Sequence, residues 1–258
     1  MHGIKMGSHK RIIILLTLLV STVWSVDTYP EWFLFPKKYP ALTVGYTYNG
    51  MPPIFDAENM YCAYEKCIVV GTLEIFNDPS SDKLLKNSNY FYYFDPDAVE
   101  AIHGRLQFVD GFSTNILKAE EIKAFSRQEL DRSEIPWLKV RELPRPSWVD
   151  TTFMEDASYY YGVGMYTSIG LENDAWKTAE EQAIFNILNS LAVEIHKIEI
   201  VSSNEYAQRA QFEGVMFIKL KFLIKNIKIL ERFPDPQQQI YYVLVRIPKS
   251  GIRSKMVR

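Results

Sequence analysis

From Val215 to Leu230 apolar and charged residues alternate: Ile218, Leu220, Phe222 and Ile224 stand against Lys219, Lys221 and Lys225. A period of two belongs to a strand with one buried face. The phase slips after Lys225, because Ile227 and Ile229 have the other parity, and a bulge or short turn near Asn226 accounts for it. Phe233-Pro234-Asp235-Pro236 and the glutamines after it read as a turn. Ile240 to Ile247 reads as a final strand, ended by Pro248. Upstream the period changes. Ala175, Ala179, Ala183, Ile187 and Leu191 recur every fourth residue, a helical stripe that is small at its start and large at its end. Asn173 or Asp174 can cap this helix. Lys177, Glu180 and Glu181 fall off the stripe and are expected to face water. Val193 to Val201 reads as the helix passing into a strand, broken at Ser202 to Glu205.

Before the helix, Tyr159 to Thr167 is aromatic and β-branched enough for a strand. Gly162 and Gly164 leave one face of it bare, so another element must approach closely there. The second half therefore reads as strand, helix and β-hairpin. The first half is less regular. Asp56 to Val70 reads as a helix, Ile68 to Phe76 as its end plus a strand, and Asn77 to Asn89 as a polar loop. Tyr90 to Phe94 and Gly104 to Phe112 read as strands, and Glu120 to Leu130 as a charged helix.

The halves echo each other. Pro30-Glu31-Trp32, Val44-Gly45 and Asp56-Ala57 return as Pro146-Ser147-Trp148, Val163-Gly164 and Asp174-Ala175. The offsets are 116, 119 and 118 residues. Nearly constant spacing of three features points to an internal repeat. The expected fold class is α+β: two tandem related modules, each a helix packed on a small antiparallel sheet. The expected boundaries are a first, divergent module at 26–141, a linker at 142–146, a second module at 147–250 and a basic tail at 251–258.

Residues 1–25 stand apart. Lys5, Lys10 and Arg11 precede an apolar run from Ile12 to Val26, with no acid before Asp27. As a helix that run spans roughly 22 Å, short of the ~30 Å hydrocarbon core. A basic start, a short apolar middle and the close at Val23-Trp24-Ser25 read as a secretory signal cleaved near Ser25. Left uncleaved, it would hold the chain to a membrane, and the positive-inside rule still puts the bulk of the chain outside the cytoplasm. This segment holds three of the 29 Lys and Arg and none of the 31 Asp and Glu, so the remainder is more acidic than the whole chain's net −2. No basic stripe is visible, and nucleic acid is not an expected partner.

With Pro146-Ser147-Trp148, Tyr161-Gly162-Val163-Gly164, the alanine-rich helix, Ile227 to Phe233 and Tyr241 to Ile247, the chain resembles a known family. It is similar to small bacterial envelope lipoproteins of the membrane-associated antigen type (LPP-twenty-like), kin to the N-terminal module of a flagellar T-ring assembly protein. The likeness covers about residues 146–249 and, more faintly, 30–125. It implies an exported α+β module in the periplasm or cell envelope that binds or scaffolds, with no catalytic residues to carry over. The lipidated cysteine of those lipoproteins has no counterpart near Ser25.

The residues themselves offer little reactive chemistry. Cys62 and Cys67 sit five apart on the expected helix, with Cα atoms roughly 8 to 9 Å apart, beyond disulfide range. Either the helix breaks between them, or both are free, buried thiols, the preferred reading. With His103 they make an incomplete zinc set, and no metal or other cofactor is expected. Gly162-x-Gly164 lacks the rest of a nucleotide loop. Asp95/Asp97 and Glu155/Asp156 are acid pairs that could cleave a glycan, but in turn contexts aspartate has backbone reasons to be there. The aromatic rows are the better candidates. On a strand alternate rings face opposite sides, so Tyr90, Tyr92 and Phe94, and likewise Tyr159 and Tyr161, can form an exposed binding surface for an envelope protein or glycan. The expectation is a non-enzymatic binding or scaffolding protein; the alternative is an enzyme acting on envelope glycan.

Overall fold

The computed structural model describes residues 28–65, 67–78, 83–94, 96–130, 135–167, 170–204 and 215–256. Of these, 62–65, 67–78, 83–94, 96, 98, 116, 192–204, 215–221 and 254–256 are described by backbone and strand pairing alone. The expected signal at 1–25 lies outside the described residues.

In chain order the elements are β1 (Thr28–Pro30), α1 (Glu31–Leu34), β2 (Thr43–Tyr46), α2 (Pro53–Glu65), β3 (Cys67–Asp78) and β4 (Lys83–Phe94). Next come α3 (Pro96–Ile102), β5 (Gln107–Asn115), β6 (Glu120–Ser126), β7 (Trp137–Lys139), β8 (Phe153–Glu155) and β9 (Tyr159–Thr167). The chain continues with α4 (Glu172–Asn204), β10 (Val215–Ile224), β11 (Lys228–Asp235), β12 (Ile240–Pro248) and β13 (Ile252–Met256). All strand pairs are antiparallel. The sheet orders are β11-β12-β9-β8, β2-β6-β5, β13-β10-β3-β4 and β1-β7. The fold is mixed α and β with antiparallel sheets.

The alanine stripe does what its spacing predicts. Ala175, Ala179, Ala183, Ile187 and Leu191 are all buried, and α4 lies on the sheet of β9 and β12. A Cβ at Gly162 would overlap the carbonyl of Ala183, and one at Gly164 the carbonyl of Ala179. Asn186 Nδ2 donates to Val163 O at 2.7 Å across the same contact. Near the start of the chain α2 lies on β2 in the same way: a Cβ at Gly45 would overlap Pro53 O and crowd Ala57.

One principal core runs through both halves. It joins Tyr29, Trp32, Phe33, Tyr46, Phe112 and Ile122 to Trp176, Ile187, Tyr241, Val243 and Val245. The Phe33 and Trp176 rings stand edge to face at 5.2 Å, and Trp176 and Tyr241 at 4.6 Å. At about 1.5 to 3 kcal/mol for each fully buried large side chain, neither half is indifferent to the other. The opposite face of the β9 sheet carries Val149, Val163, Phe233, Tyr242 and Leu244, and Leu143 and Trp148 pack against them.

Several expectations are corrected. Glu120–Ser126 is a strand, not a helix; it is central in its sheet, with Ile122 and Ala124 fully buried, and pairing on both sides overrides its charged composition. The expected loop at 77–89 is mostly the β3–β4 hairpin, because Lys83 to Asn89 pair with Thr72 to Asp78 through main-chain groups that polar and apolar residues carry alike. The first long helix ends at Glu65 and Cys67 opens a strand, so the break between the two cysteines is real; their side chains lie outside the described residues. α4 continues to Asn204 without turning into a strand. Leu191, Ile195 and Ile198 keep helical spacing, and extending a helix costs less than starting a new element. Ile240–Pro248 is not the final strand, since β13 in the basic tail pairs with β10. The linker 142–146 is no free tether: Arg145 reaches Asp235 at 2.6 Å, and Leu143 packs on the sheet. Asn173 does not cap α4, which begins at Glu172. It is buried and donates to Thr47 O, Glu121 O and Glu120 Oε2. The phase slip at Asn226 is a break between β10 and β11, with Asn226 in the left-handed region at φ 59°.

Candidate functional site

Two strands that end their sheets, β2 and β11, border a cleft of about 550 Å³. Leu42, Thr43 and Val44 line one wall, Asn226 to Leu230 the other, and Tyr39 and Tyr61 stand at its sides. Ile227, Ile229 and Val44 are buried and give it an apolar floor. Its cationic groups are Lys37, Lys228, Arg246 and, at the base, Arg232. Lys228 is exposed. The Arg246 guanidinium lies 4.2 Å from the Tyr159 ring centroid. Lys37 pairs with Glu231, whose other oxygen accepts from Trp148 Nε1 at 2.8 Å. Tyr39 donates to Glu31 at 2.7 Å; burial and then Glu31 push its hydroxyl up to about 12. A second hollow lined by Ser126, Arg127 and Gln128 shares Pro40, Thr43 and Tyr61 with the first.

Behind the cleft lies a buried ionic cluster, in contradiction to the expectation that Lys177 and Glu180 face water; Glu181 is half-buried. Arg232 is 2% exposed. Its Nη2 and Nε donate to Glu180 Oε1 at 2.7 and 3.1 Å, and its Nη1 to Phe33 O at 2.7 Å. Tyr46 also donates its hydroxyl to Glu180. One turn earlier on α4, Lys177 pairs with Asp56 at 2.7 Å, and Asp56 accepts the Tyr46 amide at 3.0 Å. Burial lifts the Asp56 carboxyl above its ordinary value, with Lys177 opposing. For Lys177 burial pulls down, but Asp56 and then Glu180 outweigh it and hold the ammonium above its ordinary value. Burial also raises Glu181. The physical reason is the position of α4: it has protein on the Tyr46 side as well as the β9 side, so residues off the alanine stripe are enclosed too. The cluster fixes Arg232 at the base of the cleft.

Among the expected site residues, Tyr159 and Tyr161 share the outer face of β9, with ring centroids 6.3 Å apart. Both are half-buried. Tyr161 donates to Asp156 Oδ2 at 2.6 Å and, like Trp148, packs on the Val149, Val163 and Leu244 cluster, while Tyr159 lies under Arg246 at the cleft rim. Tyr90, Tyr92 and Phe94 pair with Gly71, Val69 and Cys67 in β4, which belongs to another sheet. Their side chains lie outside the described residues. Glu155 is held by Lys249 at 2.6 Å. Asp156 accepts the amides of Ser158 and Tyr159, and its hydrogen bonds, Tyr161 first, keep it below the ordinary carboxylate range. Asp97 is exposed in the first turn of α3. His103 Nδ1 lies 3.0 Å from Glu58 Oε2. The cleft cations escape sequence reasoning because they are separated by more than 200 residues, from Lys37 to Arg246. Arg232 gives no distinct local signal, because β11 also carries Lys228, Glu231 and Asp235.

Compared with protein-family models, with curated proteins and with solved structures, the chain matches none of them.

Proposed function

We propose that this chain is an exported cell-envelope protein with a non-enzymatic binding or scaffolding role, built from two related helix-on-sheet units and akin to the membrane-associated antigen lipoproteins. The observation that carries the binding role is the cleft: cationic at its rim, apolar at its floor and bordered by two sheet edges. Such a cleft of about 550 Å³ has the size and polarity of sites that hold a ligand. The relation between the units is supported by their chain path. β2 leads into α2 and pairs with β6, the second strand of the β5–β6 hairpin; β9 leads into α4 and pairs with β12, the second strand of β11–β12. In both, a glycine of the first strand meets a carbonyl of the helix. The shared strand–helix–hairpin order, with β3, β4 and α3 inserted before the hairpin in the first unit and β10 in the second, supports a common origin.

The competing reading, a glycan-cleaving enzyme, needs two converging carboxylates. Glu155 and Asp156 are instead tied to Lys249 and to their own turn, which favours binding. The test is fractionation of expressing cells, with the mature N-terminus read by mass spectrometry and in-cell crosslinking of the intact chain. A start near residue 26 and crosslinks to envelope components are expected. A chain confined to the cytoplasm with residues 1–25 intact would overturn the export reading.

A further inference from the structure

We infer that the cleft takes an extended, acidic segment of a partner protein, which adds as a strand to the free edge of β11. This deepens the binding role proposed above and rests on it. The two walls differ in what their backbones still offer. On the β2 side the Leu42 amide is used by Tyr39 O at 3.0 Å and the Tyr46 amide by Asp56 at 3.0 Å. On the other side β11 ends its sheet. Its far half is covered by α1, through Arg232 and Phe33 O, and by the Lys37–Glu231 pair. Residues 226–230 line the open space. An unpaired strand edge is a template for another strand, main-chain bonds giving affinity and alternate side-chain positions giving specificity.

The charges select the occupant. Lys228 has no ion-pair partner among the described residues, and Arg246 stands beside it across the Lys228–Arg246 register pair. Lysine on an edge strand repels a second copy of that edge. Residues 1–25 carry three cations and no acid, so the chain's own leader has the wrong sign. A strand bearing carboxylates beside Lys228 and Arg246, with apolar residues turned to Ile227, Ile229 and Val44, fits on both counts.

The experiment is selection of an unbiased library of displayed ten-residue peptides on the full chain. Peptides alternating Asp or Glu with Val, Ile or Leu are expected. The best is then measured against wild type, Lys228→Glu and Lys228→Arg. Charge reversal should weaken binding by about tenfold or more, arginine should retain it, and circular dichroism should be unchanged because Lys228 is exposed. Hydrogen exchange on the bound chain should slow at residues 226–230. Selection of neutral or basic peptides, protection elsewhere, or indifference to Lys228→Glu overturns the proposal. So does binding of a polyuronate oligomer in this cleft without any peptide, which leaves the exported binder standing. A cytoplasmic location would overturn that broader role while leaving a measured peptide affinity intact.

Discussion

Arg232 and Glu180 are enclosed together, and each depends on the other more than on the rest of the core. Removing one partner leaves a buried charge without compensation, which costs about 3 to 5 kcal/mol. Glu180→Ala is therefore expected to lower the urea unfolding free energy by that order, and Glu180→Gln by less, because its amide oxygen can still accept from Arg232 and Tyr46. Glu172 gives a pH signature. Burial, opposed by the Tyr29 and Trp176 hydrogen bonds, holds its carboxyl above the ordinary value. The folded chain thus keeps a proton that the unfolded chain has released, and stability falls as pH rises from about 4 through the raised value. Asp56 and Glu181 act in the same direction. Urea midpoints should drop across this window, and less steeply in Glu172→Gln. An equal slope in the variant would remove Glu172 from the explanation.

At the scale of elements, α4 sits very close on β9. Gly162 and Gly164 let two helix carbonyls sit where side chains would otherwise be. Gly164→Ala forces helix and strand apart, and overpacking of this kind costs roughly 1 to 3 kcal/mol or more. Gly170→Ala meets open space and is expected to be near neutral. Thermal unfolding of the two variants side by side checks the difference. The glycine pair and the alanine stripe are both legible in the sequence because each is a local period. The strand nature of Glu120–Ser126 is not, because what holds it are partners about 80 residues upstream in β2 and a few residues away in β5.

At the scale of the molecule the halves are not separable bodies. The Phe33 ring packs on Trp176 while its carbonyl accepts from Arg232, and Tyr29 donates to Glu172 at 2.5 Å. A fragment of residues 142–258 would uncover Trp176, which packs on Tyr29 and Phe33, and with it Tyr241. We expect it to bind a hydrophobic dye and to lack a cooperative thermal transition, whereas the full chain shows one. A fragment that unfolds cooperatively with the full chain's stability would argue that the second unit stands alone. The principal core joins side chains of both halves, so neither half buries its share of it alone.

The sequence alone determined the elements whose cause is short-range: the helix of the alanine stripe, the strand bared by Gly162 and Gly164, and the break at Asn226. Side-chain period and backbone freedom act within a few residues, so they can be read along the chain. Only the tertiary structure decided which charges are buried and which edges stay open. Lys177 and Glu180 look solvated on a helical wheel, and they are enclosed because β2, α1 and α2 arrive from more than a hundred residues upstream. The cleft is likewise a property of two strands that no local pattern connects, since the free edge of a sheet is defined by the neighbour it lacks.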